Sequence, residues 1–139
     1  MTRAVQPSSS FRLQLDLQSG MPVYRQIMDQ VLAAIASGRL ASGDQLPTVR
    51  QLAVDLSINP NTVIRAYREL EIRGFLDTHQ GSGTFISTQP VQQDDEERSR
   101  KLDSIVSESI ARAGAEGFTA KQVLDRLKEL LAEQKTKRS

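Results

Sequence analysis

Two helix-start signals stand so close together in this chain that the helix between them has room for roughly two turns. The first is Thr48-Val49-Arg50-Gln51, a capping box: the Thr48 hydroxyl takes a backbone N–H at the helix start, and Gln51 reaches back. The second is Asn59-Pro60, with Asn as N-cap and Pro at the first helical position, where a missing N–H does no harm. Between them the apolar stripe Val49, Leu52, Ala53 and Leu56 stops at Ser57-Ile58. Two short helices joined by about three residues cannot continue as one rod, and this is the spacing of a helix-turn-helix.

The flanking segments extend the pair. Upstream, Pro22 suits a first helical turn. At ~100° per residue, Tyr24, Ile27, Met28, Val31, Leu32 and Ile35 share one side of that helix, with Arg25, Gln26, Asp29 and Ala33 on the other. Ser37-Gly38 ends it, and residues 43–47 read as a turn into the second helix. The third helix runs to Arg73 and stops at Gly74, a residue suited to a left-handed cap. Residues 75–80, Gly81-Ser82-Gly83 and residues 84–88 read as strand, glycine turn and strand. Before the first helix, Phe11-Arg12-Leu13-Gln14-Leu15-Asp16 alternates apolar and polar, which predicts a short half-buried strand. Residues 1–10 are polar and Ser-rich, the expected form of a disordered arm. Three helices followed by a two-stranded hairpin make a winged helix-turn-helix, expected over residues 11–88.

Residues 89–94, with Pro90, read as a linker. The acidic run 94–97 suits the start of a fourth helix, whose stripe is Leu102, Ile105, Val106, Ser109, Ile110 and Ala113. Residues 114–117 turn the chain. Thr119 and Gln122 then form another capping box, with Phe118 placed to staple onto Val123. Val123, Leu124, Leu127, Leu130 and Leu131 line the fifth helix, and the basic tail 135–138 suits its C-terminal end. Apolar burial contributes only ~25 cal/mol per Å², so two such helices offer little against their ordering entropy. Their stripes are expected to meet the same helices of a second copy about a two-fold axis; the other reading packs them back on the winged helix. The expected class is α+β, mainly α: an N-terminal winged helix-turn-helix followed by a two-helix dimerisation hairpin over residues 95–139.

Composition excludes more than it suggests. Hydrophobic residues at 38% and charged residues at 25% describe a folded chain, while aromatics at 4% leave the core mainly aliphatic. Net charge is +1, and residues 21–88 and 91–139 are each neutral, so nucleic-acid binding has to rest on placed residues. Every cation before Lys101 is Arg, the side chain suited to bidentate contacts with phosphate and guanine. There is no Cys, and His79 is the only His, so neither disulfides nor a Cys/His metal set can form. No Gly-rich loop is placed between strand and helix to cradle phosphate, and the carboxylates of the C-terminal half interleave with Lys and Arg as surface pairs do. Neither an enzyme nor a cofactor is expected. No apolar run reaches the ~18 residues of a membrane span, residues 1–10 do not form a secretory signal, and a cytoplasmic protein is expected.

The third helix is the expected reader. Its core stripe is Val63, Ala66, Tyr67 and Leu70, and directly opposite, within ~60° on a helical wheel, lie Asn61, Arg65 and Arg68. In a major groove Asn bonds adenine bidentately and Arg bonds guanine; the plainer reading is a solvated helix face. Thr48 and Arg50 stand at the start of the second helix, with Arg50 placed for a phosphate or base edge. The hairpin tip His79, Gln80 and Gly81 is polar and free of bulk, so its backbone can approach phosphate or a minor groove; the plainer reading is a tight turn.

These residues carry a resemblance. GDQLPTVRQLA (43–53), NPNTVIRAYRELE (59–71) and RGFLDTHQGSGTFIS (73–87), with the Pro-Val-Tyr-Arg-Gln-Ile opening of the first helix, resemble the GntR family of bacterial regulators, and NPNTVIRAYRELE resembles its YtrA subfamily. The match spans residues 11–88. It implies a transcription factor, read here as a repressor that binds a palindromic operator in double-stranded DNA as a homodimer, with Arg50, Asn59, Asn61, Thr62 and Gly81 touching DNA. Relatives with larger effector domains often carry Arg one place before Arg65; here that place is Ile64, and Arg65 substitutes for it by wheel position. In the YtrA subfamily the C-terminal part is a short two-helix dimerisation segment. A small-molecule effector stays open, with room only at the dimer interface, and the alternative to DNA binding is a winged-helix protein-interaction module.

Overall fold

The computed structural model describes residues 11–88 and 95–138, with side chains of the second stretch described to Glu133. Two compact units divide between Pro90 and Val91. The expected arm and linker lie outside the described residues.

In the first unit the helix boundaries follow their caps. α1 (Val23–Ser37) begins after Pro22 and ends on Gly38, at φ 87°. α2 (Val49–Leu56) starts at Thr48, whose hydroxyl accepts the Gln51 N–H at 3.0 Å. α3 (Pro60–Ile72) starts at Asn59, whose side-chain oxygen accepts the Asn61 N–H at 2.8 Å. Ser57 reverses the chain between α2 and α3 with φ 57°, a left-handed conformation more often given to glycine. β1 (Leu76–His79) pairs antiparallel with β2 (Gly83–Ile86), Leu76 opposite Ile86 and His79 opposite Gly83, so both strands are shorter than expected and β2 begins one residue earlier, at Gly83.

Ile27, Met28 and Val31 of α1, Leu52 and Ala53 of α2, Val63, Ala66, Tyr67 and Leu70 of α3, and Leu76 and Ile86 of the hairpin form one buried core. Removing this aliphatic surface from water is what holds three short helices together.

The expected strand at 11–16 does not form. The alternation is real: Phe11 is buried, and Leu13 and Leu15 are half-buried. Its backbone partners are side chains. The Gln30 amide accepts the Gln14 N–H at 2.9 Å and donates to the Gln14 carbonyl at 2.6 Å. One helical turn earlier, the Gln26 amide accepts the Asp16 N–H at 2.8 Å and donates to the Asp16 carbonyl at 2.9 Å. Two glutamines on α1 thus stand where a neighbouring strand would. Gln26 is accordingly buried, at 7% exposure, against its placement on the solvent side of the wheel. A buried amide is tolerated because its bonds are made, including one to the Met21 carbonyl at 2.9 Å.

Residues 43–47 are also more than a turn. The Gly43 N–H donates to the Ile86 carbonyl, the Ile86 N–H to the Asp44 carbonyl and the Leu46 N–H to the Thr84 carbonyl, at 2.8–2.9 Å. The segment before α2 therefore lies along β2 as a third ribbon.

In the second unit, α4 (Asp95–Ala115) opens on Asp95, Glu96 and Glu97, and α5 is Ala120–Arg138. The Thr119–Gln122 box is reciprocal: the Gln122 N–H donates to the Thr119 hydroxyl at 3.1 Å, and the Thr119 N–H to the Gln122 side-chain oxygen at 2.8 Å. Among the described residues, α4 and α5 make no close packing along their lengths. Leu102, Ile105, Val106, Leu124, Leu127, Leu130 and Leu131 are 42–61% exposed, and half-buried Ile110, Ala113 and Val123 gather near the turn. Among the described residues no helix is long and apolar enough to cross a membrane.

Candidate nucleic-acid interface

Burial of Val63, Ala66, Tyr67 and Leu70 fixes which way α3 faces. The opposite side is an open groove of about 420 Å³, lined by Asn61, Ile64, Arg65, Arg68, Glu69 and Ile72. The expected donor trio, Asn61, Arg65 and Arg68, is therefore together on one exposed surface. Thr62, beside them, is half-buried.

Arg65 is not a loose arm. Its guanidinium carbon sits 3.8 Å from the centroid of the Tyr24 ring, on α1. A guanidinium stacked face-on to an aromatic ring is held by the ring quadrupole, while its N–H groups point outward in its own plane and stay able to donate. The stack sets where those donors are offered. Tyr24, assigned by its spacing to the core side, is half-buried, and its ring also carries the Arg65 guanidinium.

Thr48 and Asn59 sit at the N-termini of α2 and α3, and each spends a side-chain oxygen on capping. The first N–H groups of a helix point outward along its axis and attract anions. Arg50, in the first turn of α2, is exposed. The start of α2 is tied to the middle of α3, because the Tyr67 hydroxyl donates to the Pro47 carbonyl at 2.8 Å. Burial pushes the Tyr67 phenol well above the ordinary tyrosine value, so it stays the donor.

At the wing, His79, Gln80 and Gly81 are exposed, and Gly81 takes φ 83° in the turn, a conformation that glycine adopts without strain. The His79 ring meets the edge of Phe85, centroids 5.4 Å apart, which holds it on the hairpin surface. The Gln45 amide donates to the Ser82 carbonyl at 3.0 Å and braces the turn from outside the hairpin. Gly83 makes room for that brace: a Cβ there would fall 2.6 Å from the Gln45 amide nitrogen.

Tyr24, Gln45, Tyr67 and Gly83 were not among the residues expected at the site. Their roles are contacts between elements, and neither periodicity nor cap signals carry such contacts. Among the described residues no group of three His, Cys, Asp or Glu gathers as a metal set.

Residues 23–86 match the family model described as bacterial regulatory proteins, gntR family. The chain is 38% identical over 112 residues to YhcF of Bacillus subtilis, described as an uncharacterized HTH-type transcriptional regulator; the match covers 80% of this chain and 91% of that protein. It is 45% identical over 75 residues to the HTH-type transcriptional repressor YtrA of Bacillus subtilis, covering 54% of this chain and 58% of the repressor. Among solved structures, YtrA from Sulfolobus acidocaldarius, a GntR-family transcription factor, superposes with a TM-score of 0.54 at 33% identity, over 71% of this chain and 97% of that one.

Proposed function

The chain belongs to the GntR family of bacterial regulatory proteins, and from that footing we propose that it is a transcriptional repressor that grips a two-fold symmetric operator as a homodimer. The observation that carries the DNA-reading surface is the face of α3 opposite the core, where Asn61, Arg65 and Arg68 share one open groove. An N-capped helix of this kind enters a major groove with its first turns against base edges. Arg50 and the N-terminus of α2 engage the backbone beside it, and the wing tip at Gln80 and Gly81 takes phosphate and sugar contacts that set register without reading sequence. The exposed stripes of α4 and α5 are the dimer surface. Each is an apolar face that its own chain leaves open, and a two-fold axis covers it with an identical one. The repressor sense rests on likeness to the Bacillus YtrA repressor. The protein acts in the cytoplasm without catalysis, and an effector, where there is one, binds between the two copies.

Selection from a random duplex library at fixed salt, with light scattering on the same preparation, tests this reading. A dimer should enrich an inverted repeat with half-sites about one helical turn apart, and binding should fall steeply with added salt. A monomer, or a chain that binds no duplex above background, contradicts it. Transcription from a promoter overlapping the selected site should rise when the protein is removed.

A further inference from the structure

Ile64 lies in the middle of the reader surface, one helical turn after Asn61 and one before Arg68, and lines the same groove. It is 37% exposed, whereas the residues through which α3 joins the core are at most 6% exposed. An exposed isoleucine is ordinary in itself. Its placement is what matters here, because it stands between side chains offered to base edges.

A major groove presents polar atoms at every base pair and a single kind of apolar group, the C5-methyl of thymine. Isoleucine has neither donor nor acceptor. Against that methyl it removes two apolar surfaces from water. Against cytosine, adenine or guanine it covers a polar edge without bonding it, which counts against those bases.

We propose that Ile64 is a specificity-determining residue that reads one thymine methyl in each half-site. This rests on α3 being the reader helix. It goes further in assigning a base to a side chain that makes no hydrogen bond. Asn61 and Arg68 then read polar edges on either side of the thymine, and Ile64 supplies the apolar contact between them.

Replacing each thymine of the selected operator in turn with deoxyuridine tests the assignment, since the two differ only in the methyl group. At one position per half-site, binding should weaken roughly threefold to tenfold, the scale of burying one methyl group. That sensitivity should vanish in Ile64→Ala, persist largely in Ile64→Val, and survive in Arg68→Ala. At the same position 5-methylcytosine should bind better than cytosine. Ile64→Ala should unfold close to wild type, as expected of a side chain outside the core. An operator with no uracil-sensitive position, or one whose sensitivity persists in Ile64→Ala, overturns the role of Ile64 and leaves the reader helix standing. A chain that enriches no sequence overturns both.

Discussion

The Tyr67 hydroxyl, on α3, donates to the carbonyl of Pro47, the residue before the α2 cap, at 2.8 Å. One bond thus joins the middle of α3, the proposed reader helix, to the start of α2. That bond helps fix how α2 and α3 sit against each other.

Tyr67→Phe should therefore cost about 1 kcal/mol, the usual size of one such bond with its carbonyl left short of a donor. The pH dependence has a definite sign. Burial raises the phenol above its ordinary value of 10, so up to that pH it is neutral in both folded and unfolded chains. Above it only the unfolded chain releases the proton, and stability is lost as pH rises. Denaturant unfolding between about pH 9 and pH 11 should show a steeper decline in wild type than in Tyr67→Phe. Equal declines would mean that the phenol is not held neutral.

Gly83→Ala should destabilise the wing. Gly83 has φ 126°, where an L side chain is strained by about 1 to 3 kcal/mol, and the added Cβ meets the Gln45 amide at 2.6 Å. Pairing it with Gln45→Ala removes the collision but not the strain, so thermal unfolding of the double variant should recover only part of the loss. Full recovery would place the whole cost in the collision.

Arg65→Ala should weaken operator binding by about 1 to 3 kcal/mol and relax preference at one base pair per half-site. The stack on Tyr24 adds a second expectation. Tyr24→Phe keeps the ring and should bind like wild type, whereas Tyr24→Leu frees the guanidinium and should lose part of the same affinity. In the Arg65→Ala background Tyr24→Leu should cost nothing more. Additive losses in titrations at fixed salt would show that the two residues act separately.

Leu127→Glu should convert the proposed dimer to a monomer in light scattering. Leu127 is 52% exposed within its own chain, so the substitution removes no intrachain core contact. It does place a carboxylate on the proposed dimer surface. Thermal unfolding of the winged unit should stay unchanged while affinity for the inverted repeat falls. A variant that remains dimeric would locate the interface away from α5.

Much of this architecture was legible in the chain because its signals are short. Thr48, Asn59 and Thr119 cap helices through partners two or three residues away, and Gly38 and Gly74 end helices in conformations they adopt cheaply. The α3 stripe and the donor trio opposite it followed from the helical repeat alone, since a helix with one buried face has only one other face to offer. Alternation at 11–16 correctly marked Phe11 as buried and wrongly implied a strand. Alternation reports which side chains face inward, and says nothing about what completes the backbone bonds.

Local sequence thus determined where the helices begin and end and which face of α2 and α3 is buried. Tertiary structure decided what those faces meet. Gln30 reaches Gln14 across 16 residues, Tyr67 reaches Pro47 across 20, and Gln45 reaches Ser82 across 37. Each is a polar group whose partner is fixed only once the core has closed. Before closure its hydrogen bonds are made equally well by water; closure of the core brings the partner within reach, and at part-buried Tyr67 it also removes water as the alternative. The posture of Arg65 on Tyr24 belongs to the same class, because a ring on one helix becomes a platform for a cation on another only when the two helices are packed.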